Sequence, residues 1–136
     1  VRVRQLQELI KKFNKPDFVQ VERHPLWTCK KDIDFFLNNQ IKVMTYSPLC
    51  RMDIRLASSP TLKKIADKYG KTIGQVILRW HIESKCIPVF SSHKVERIQE
   101  NINIFDFSLD PKEISEIDNL NQNLKISLES WGCPGF

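Results

Sequence analysis

No apolar run in this chain approaches the ~18 residues that a membrane-spanning helix needs, and no signal-type hydrophobic stretch follows Val1-Arg2-Val3-Arg4. Neither a membrane span nor secretion is expected, which makes the cytoplasm the default compartment. The four cysteines, Cys29, Cys50, Cys86 and Cys133, form no C-x-x-C pair, and no histidine stands at zinc-ligand spacing from them. Free reduced thiols and no metal centre follow. Arginines and aromatics do not interleave as they do on nucleic-acid surfaces. The net charge of +5 is modest and spread, with local groups at Lys11-Lys12, Lys63-Lys64 and Lys94 with Arg97, which fits a small anionic ligand or nothing in particular. Repeats, low-complexity tracts and linkers are absent as well. What is left is 136 residues with 41% hydrophobic and 27% charged side chains, the make-up of one soluble globular domain over residues 1–136.

Hydrophobic spacing lays out an α/β chain. Leu6, Leu9, Ile10 and Phe13 recur at helical intervals over residues 3 to 13, with no capping residue before Val3. Asn14-Lys15-Pro16-Asp17 breaks that run. Phe18 to His24 then alternates with period two, Val19 and Val21 on one face and Gln20, Glu22 and His24 on the other. The polar face belongs either in solvent or toward the centre of a barrel whose apolar face lies under helices. Pro25 ends the strand, and His24 reads as a hydrogen-bonded strand-end histidine before it reads as a site residue. A helix over 30–39, burying Ile33, Phe36 and Leu37, leads to a strand over 42–46, and strand, helix and strand make a parallel unit. Beyond Ser47-Pro48-Leu49 runs a loop of about ten residues, long for a compact α/β unit and therefore a candidate functional loop. Tyr46, just ahead of it, is either a core aromatic or a stacking platform.

Ser59-Pro60 caps and opens a helix that turns Leu62, Ile65, Ala66 and Tyr69 inward and stops at Gly70. Thr72 and Gln75 form a capping box for the next helix, whose buried stripe is Ile73, Val76, Ile77 and Trp80. A strand over 87–90 and another helix follow. Asp110-Pro111-Lys112-Glu113 caps a last helix bearing Ile114, Ile117 and Leu120, and Trp131 to Phe136 is an irregular tail.

The stretch from Ile87 to Asn101 has the form of an anion site. An apolar strand breaks into two hydroxyls and then a helix, whose first N–H groups lack partners and carry roughly half a positive charge. Ser91 and Ser92 can donate to a phosphate there, Arg97 adds a planar charge that also stacks on rings, and Glu100 and Asn101 offer an acceptor and an amide. By itself the pattern reads as a capped surface helix with solvated charges before it reads as an anion site.

Glu96-Arg97-Ile98-Gln99-Glu100-Asn101, followed by Phe105-Asp106-Phe107, resembles the adenosine-binding segment of the aldo-keto reductases. The similarity extends from Val3 to about Lys125. Gln20-Val21-Glu22-Arg23-His24-Pro25 looks like the strand whose glutamine bonds the nicotinamide carboxamide. Tyr46-Ser47-Pro48-Leu49 is similar to the segment whose tyrosine stacks on the nicotinamide while the next residues line the pyrophosphate. Lys71 to Trp80 and Leu120 to Leu124 read as the family's helix before its last strand and the end of its final helix.

The resemblance implies a (β/α)8 (TIM) barrel with its cofactor at the C-terminal ends of the strands. A barrel of that type takes about 250 residues, so this chain corresponds to its C-terminal half: the last three strand–helix units, an extra helix and a tail. The implied function is the cofactor-binding half of an NADP-dependent oxidoreductase. Its complete form would reduce aldehydes or ketones to alcohols by hydride transfer.

The implied cofactor residues are Gln20 and Tyr46 for nicotinamide, Ser47 and Leu49 for pyrophosphate, and Ser91, Ser92, Arg97, Glu100 and Asn101 for adenosine. The family's catalytic aspartate, tyrosine, lysine and histidine have no counterpart here, since none of His24, Tyr46 or Tyr69 matches them, so no catalytic residue is expected. Ser91 stands where many members carry a lysine for the 2′-phosphate. Asp53, which resembles the acid that closes a loop over the pyrophosphate, thereby loses that lysine as its mate, and Cys50 stands where glycine is frequent. Arg97 and Lys94 remain to favour NADP, with NAD left open. The alternative reading is a non-catalytic half-barrel or truncated product that binds nucleotide weakly or pairs with another half through its open edges.

Overall fold

The structure, a computed structural model, describes residues 3–127, and the tail read above over 131–136 lies outside them. Three parallel strands, β1 (Phe18–Glu22), β2 (Lys42–Tyr46) and β3 (Cys86–Val89), stand side by side in chain order. Parallel neighbours need crossovers, and helices supply them. Helix α1 (Val3–Lys12) precedes β1, and α2 (Lys30–Asn38) joins β1 to β2. Between β2 and β3 run α3 (Ile54–Ala57), α4 (Pro60–Tyr69) and α5 (Ile73–Glu83), while α6 (Val95–Ile102) and α7 (Pro111–Asp118) follow β3.

Residues in register share a face, and the two faces of this sheet differ. Val19, Val43 and Cys86 align, as do Val21 and Thr45. All five are buried, and Val19, Val21, Val43 and Cys86 form a cluster with Leu6 of α1 and Ile33 and Phe36 of α2. On the other face Gln20, Met44 and Ile87 align, as do Glu22, Tyr46 and Val89. That face is largely open: Phe18 is 49% exposed, Ile87 45% and Val89 39%. The alternation of β1 thus packs its valines under helices, and Gln20 lies on the uncovered side.

Glu22 and His24, on the polar side of the same alternation, are buried, and the cause lies 104 positions further on. The Glu22 carboxylate accepts the Ile126 N–H at 2.5 Å and the Ser127 N–H at 3.0 Å, so the segment after α7 crosses the end of β1 and covers it. Gln122 and Leu124 N–H groups add bonds to the Leu26 carbonyl. His24 Nε2 lies 3.1 Å from the same carboxylate. Burial pushes the Glu22 pKa up, and the His24 bond with the two backbone N–H groups outweighs it, leaving the carboxyl below its ordinary value.

A second core lies among the later helices, where Leu62, Ile65, Ile77, Trp80 and Ile117 are fully buried. Arg23 reaches into it from the end of β1. Its guanidinium carbon sits 3.6 Å over the Trp80 ring, Nε donates to the Thr28 carbonyl at 3.2 Å, and Nη2 donates to Ser84 Oγ at 3.0 Å. Nη1 lies 3.1 Å from His81 Nδ1, which Thr45 Oγ1 also approaches at 3.1 Å. A guanidinium can only donate, so Nδ1 accepts from Arg23 and the proton is assigned to Nε2, which faces the Pro48 carbonyl at 3.4 Å. The core therefore holds the chain at Pro48, where the loop after β2 begins.

The local stop and start signals operate as read. Ser59 Oγ accepts from the Leu62 N–H, Gly70 takes the left-handed conformation at φ 62°, and capping boxes form at Thr72/Gln75 and Asp110/Glu113. Some expectations are corrected. β1 ends at Glu22, and His24 instead bridges to Trp27. β3 begins at Cys86 and ends before Phe90. The loop after β2 carries a 3-10 turn at Cys50–Met52 and then α3. Leu37 and Ile73, both expected to be buried, are only half-buried.

Candidate functional site

A cleft of about 930 Å³ opens where three connections meet: the loop after β2, the start of α5, and the turn from β3 into α6. Its walls include Ser47, Leu49, Ser91, Ser92, Arg97, Glu100 and Asn101, seven of the nine residues singled out in the sequence. Thr72 from the α5 capping box lines it too, and Thr72 Oγ1 donates to Glu100 Oε1 at 2.7 Å. Gln75, the other member of that box, donates from Nε2 to the Glu100 and Asn103 carbonyls at 3.0 Å each. One local motif thus starts α5 and also fixes the end of α6 against it. Ser92 Oγ accepts the Lys94 N–H at 3.1 Å, which leaves its hydroxyl hydrogen to donate. Lys94 itself caps α6 without a side-chain bond and is not among the residues lining the cleft.

Gln20 and Tyr46 are not brought into the cleft walls. Both stand on the open face of the sheet, where Tyr46 is the register partner of Val89, a lining residue. The cleft and the open face are therefore continuous at the C-terminal end of β2.

The loop after β2 takes an uncommon path. Cys50, Arg51 and Met52 have φ of 50°, 51° and 53°, three consecutive residues with β-carbons in the left-handed region. Bonds from Cys50 N–H to the Ser47 carbonyl (2.9 Å), Met52 N–H to Leu49 (2.8 Å) and Asp53 N–H to Cys50 (3.0 Å) hold the turn. Such a conformation costs about 1–2 kcal/mol per residue, and the buried Cys50 side chain is one anchor that maintains it. This conformation is the one glycine adopts freely. Asp53 then caps α3 and takes Arg55 in a two-pronged pair, Nε at 2.7 Å and Nη2 at 2.7 Å. The Arg55 side-chain bond holds the Asp53 carboxyl well below the usual range. The acid that the sequence leaves without a lysine mate is engaged by its own neighbour.

Among the described residues no cluster of histidine, cysteine and carboxylate is arranged to hold a metal, and no helix is long and apolar enough to cross a membrane. Cys29, Cys50 and Cys86 are free. Burial pushes the Cys29 thiol up to about 12 and the Cys50 thiol to about 11. Neither is a nucleophile at neutral pH. What the cleft offers is therefore binding chemistry: hydroxyl and guanidinium donors, one carboxylate acceptor, and apolar surface from Leu49, Ile73 and Phe90.

The cleft and sheet have relatives of known kind. A family model described as the aldo/keto reductase family matches residues 52–122. The uncharacterized oxidoreductase YtbE of Bacillus subtilis is 40% identical over 112 residues, covering 82% of this chain and 39% of that protein. The glyoxal reductase of the same organism is 37% identical over 126 residues, 92% of this chain and 45% of its own. Among solved structures, an aldo-keto reductase of Bombyx mori in complex with NADP superposes with a TM-score of 0.89 at 30% identity, covering 97% of this chain and 46% of that one. The chain belongs to the aldo-keto reductase family. It spans less than half the length of the relatives it matches.

Proposed function

We propose that this chain is the cofactor-binding half of an NADP-dependent aldo-keto reductase: the last three strand–helix units and terminal helix of a (β/α)8 barrel whose complete form reduces aldehydes or ketones to alcohols. The observation that carries this reading is the cleft itself, which collects Ser47, Leu49, Ser91, Ser92, Arg97, Glu100 and Asn101 from loops at the C-terminal ends of β2 and β3. That is the end of the strands at which α/β barrels bind their ligands. The open face supports it as well, because Phe18, Gln20, Met44, Ile87 and Val89 are surfaces a closed barrel would cover.

The residues present fit a nicotinamide dinucleotide. Ser47, Ser91 and Ser92 donate to phosphate oxygens, Arg97 supplies charge to the adenosine end, and Glu100 accepts from an amine or hydroxyl while Thr72 fixes one of its oxygens. In this reading Tyr46 and Gln20, on the adjoining sheet face, take the nicotinamide ring and its carboxamide. Bound there, the dinucleotide would supply the hydride. This chain's residues hold and orient it, and proton delivery to the carbonyl oxygen falls to the companion half. Some relatives are solved with NADP or NADPH, and NADP is the cofactor proposed. A small carbonyl compound is the substrate class, and the cytoplasm is the proposed location.

NADPH titrated into the chain joined to an N-terminal half tests this. Arg97→Ala and Tyr46→Ala are each expected to raise Kd roughly tenfold, the worth of one charge-assisted or stacking contact. Unchanged dissociation constants in both variants would overturn the reading.

A second reading, a half-barrel that pairs with another copy, is favoured by the apolar groups at both sheet edges. Leu9, Phe13 and Phe18 are exposed on the β1 side, and Ile87, Val89 and the α6 stripe Val95, Ile98 and Ile102 on the β3 side. Sedimentation at micromolar concentration is expected to show a dimer under this reading, and a stable, unaggregated monomer counts against it.

A further inference from the structure

The two ends of the open sheet face differ in charge. At the C-terminal end Glu22 is clasped by the Ile126 and Ser127 N–H groups. At the other end Lys42, the first residue of β2, is the register partner of Phe18, and its Nζ stands 5.1 Å from the centre of the Phe18 ring. Lys85 directly precedes β3 beside it, since the residues that follow the two lysines, Val43 and Cys86, are paired. Lys12 in the last turn of α1 and Lys15, whose Nζ donates to the Asn39 carbonyl at 2.9 Å, lie at the same end. All of these lysines are exposed, and none forms an ion pair with another described residue. The acids nearby are Asp17, whose carbonyl accepts the Lys42 N–H, and Glu83, which Arg79 holds at 2.7 Å. Cations therefore outnumber available carboxylates here, and Lys42 has a neutral ring for its neighbour.

We propose, on the half-barrel reading above, that this end of the sheet docks acidic side chains of the companion half, and that its lysines select such a half over a second copy of this chain. The strands of a parallel barrel all run one way, so whatever closes the barrel brings its own strand starts level with Lys42 and Lys85, in the first of the side-chain layers that fill the interior. Lys42 stands on the face that closure covers. A cation drawn out of water is costly to the assembly unless an opposite charge meets it, and the Phe18 ring offsets only part of that loss. A second copy would set its own Lys42 and Lys85 in the same layer, and like charges placed together reject the pair. A half bearing aspartate or glutamate at its strand starts is drawn in instead.

A copy of the full chain carrying Lys42→Glu and Lys85→Glu serves as the acidic probe. Sedimentation of the unaltered chain mixed with it at micromolar concentration is expected to show a one-to-one complex, at least roughly tenfold tighter than the self-association of either protein and looser as salt rises. A chain carrying Lys42→Gln and Lys85→Gln should lose that attraction to the probe. A control copy with Lys31→Glu and Lys94→Glu changes the net charge equally at exposed sites near the starts of α2 and α6, the opposite end of the sheet, and should gain nothing. Equal binding by the control copy would make the attraction a matter of net charge and overturn the proposal. So would self-association of the unaltered chain as tight as the mixed complex, or no mixed complex at all. The half-barrel reading is judged apart from these outcomes by NADPH binding to the chain joined to an N-terminal half.

Discussion

Joined to the N-terminal half of one of its relatives, the chain is expected to reduce an aldehyde with NADPH at least ~10⁴-fold faster than it does alone. The estimate comes from what each part contributes. The described residues supply donors, an acceptor and apolar walls for a ligand, and the one carboxyl in register with Tyr46 and Val89, Glu22, is buried, engaged by His24 and the Ile126 and Ser127 N–H groups, and held below its ordinary pKa, so it is ionised rather than poised to give a proton. Cys29 and Cys86 are held as neutral thiols, with burial raising their pKa, and His24 is turned toward Glu22 and buried. General acid catalysis is typically worth 10²–10⁴-fold, and holding the carbonyl against the ring adds an orientation factor on top of it. A chain that binds without an acid loses both. The comparison is made at equal NADPH occupancy, so that weak binding by the lone chain is not mistaken for slow chemistry. Equal turnover by the lone chain and the joined form would show that this half carries a proton donor of its own and would remove the division of labour proposed here.

How much of this was legible depended on the range of the interactions. Ser59-Pro60, Thr72 with Gln75 and Asp110 with Glu113 could be read as helix starts because a cap is settled within four residues. The valine alternation of β1 marked its buried face for the same reason. The path of the loop after β2 was not legible. A left-handed turn built by Cys50, Arg51 and Met52 has no glycine to announce it, and its anchors, the His81 contact to the Pro48 carbonyl and the burial of Cys50, are set by distant packing. Arg51 consequently went unnoticed as a lining residue. The burial of Glu22 escaped for a similar reason, since its partners Ile126 and Ser127 lie at the far end of the described chain. Ser91, Ser92, Arg97, Glu100 and Asn101 stand out in the local pattern of a strand, two hydroxyls and a helix start, while Ser47 and Leu49 are marked only by likeness to a family, because the sequence does not place the second loop next to the first.

Trp80→Ala is expected to lower the unfolding free energy by about 3–5 kcal/mol, a large share of the ~5–15 kcal/mol that a domain usually has. Trp80 is fully buried, its Nε1 donates to Asp118 Oδ1 at 3.0 Å, and its ring lies under the Arg23 guanidinium and 4.8 Å from the His81 ring. Removing it leaves a cavity, frees an aspartate partner and lets water reach a buried cation. The same variant should also change the pH dependence. Burial first, and the Arg23 charge second, hold the His81 pKa well below 6.5. As pH falls through about 6.5 the unfolded chain therefore takes up a proton that the folded one refuses, and stability declines. Glu22, whose folded pKa is also lowered, adds to the decline below about 4.5 as its clasp on Ile126 and Ser127 is protonated. With Trp80 gone and the site hydrated, the His81 pKa moves back toward its ordinary value, and the slope of stability against pH between about 5 and 7 should shrink. Trp80→Phe keeps a ring beneath Arg23 and loses only the Asp118 bond and part of the volume, so it should retain most of the slope. Denaturant unfolding at several pH values measures both quantities, and a Trp80→Ala slope as steep as the unaltered chain's would show that the Arg23 and His81 environment does not depend on this ring.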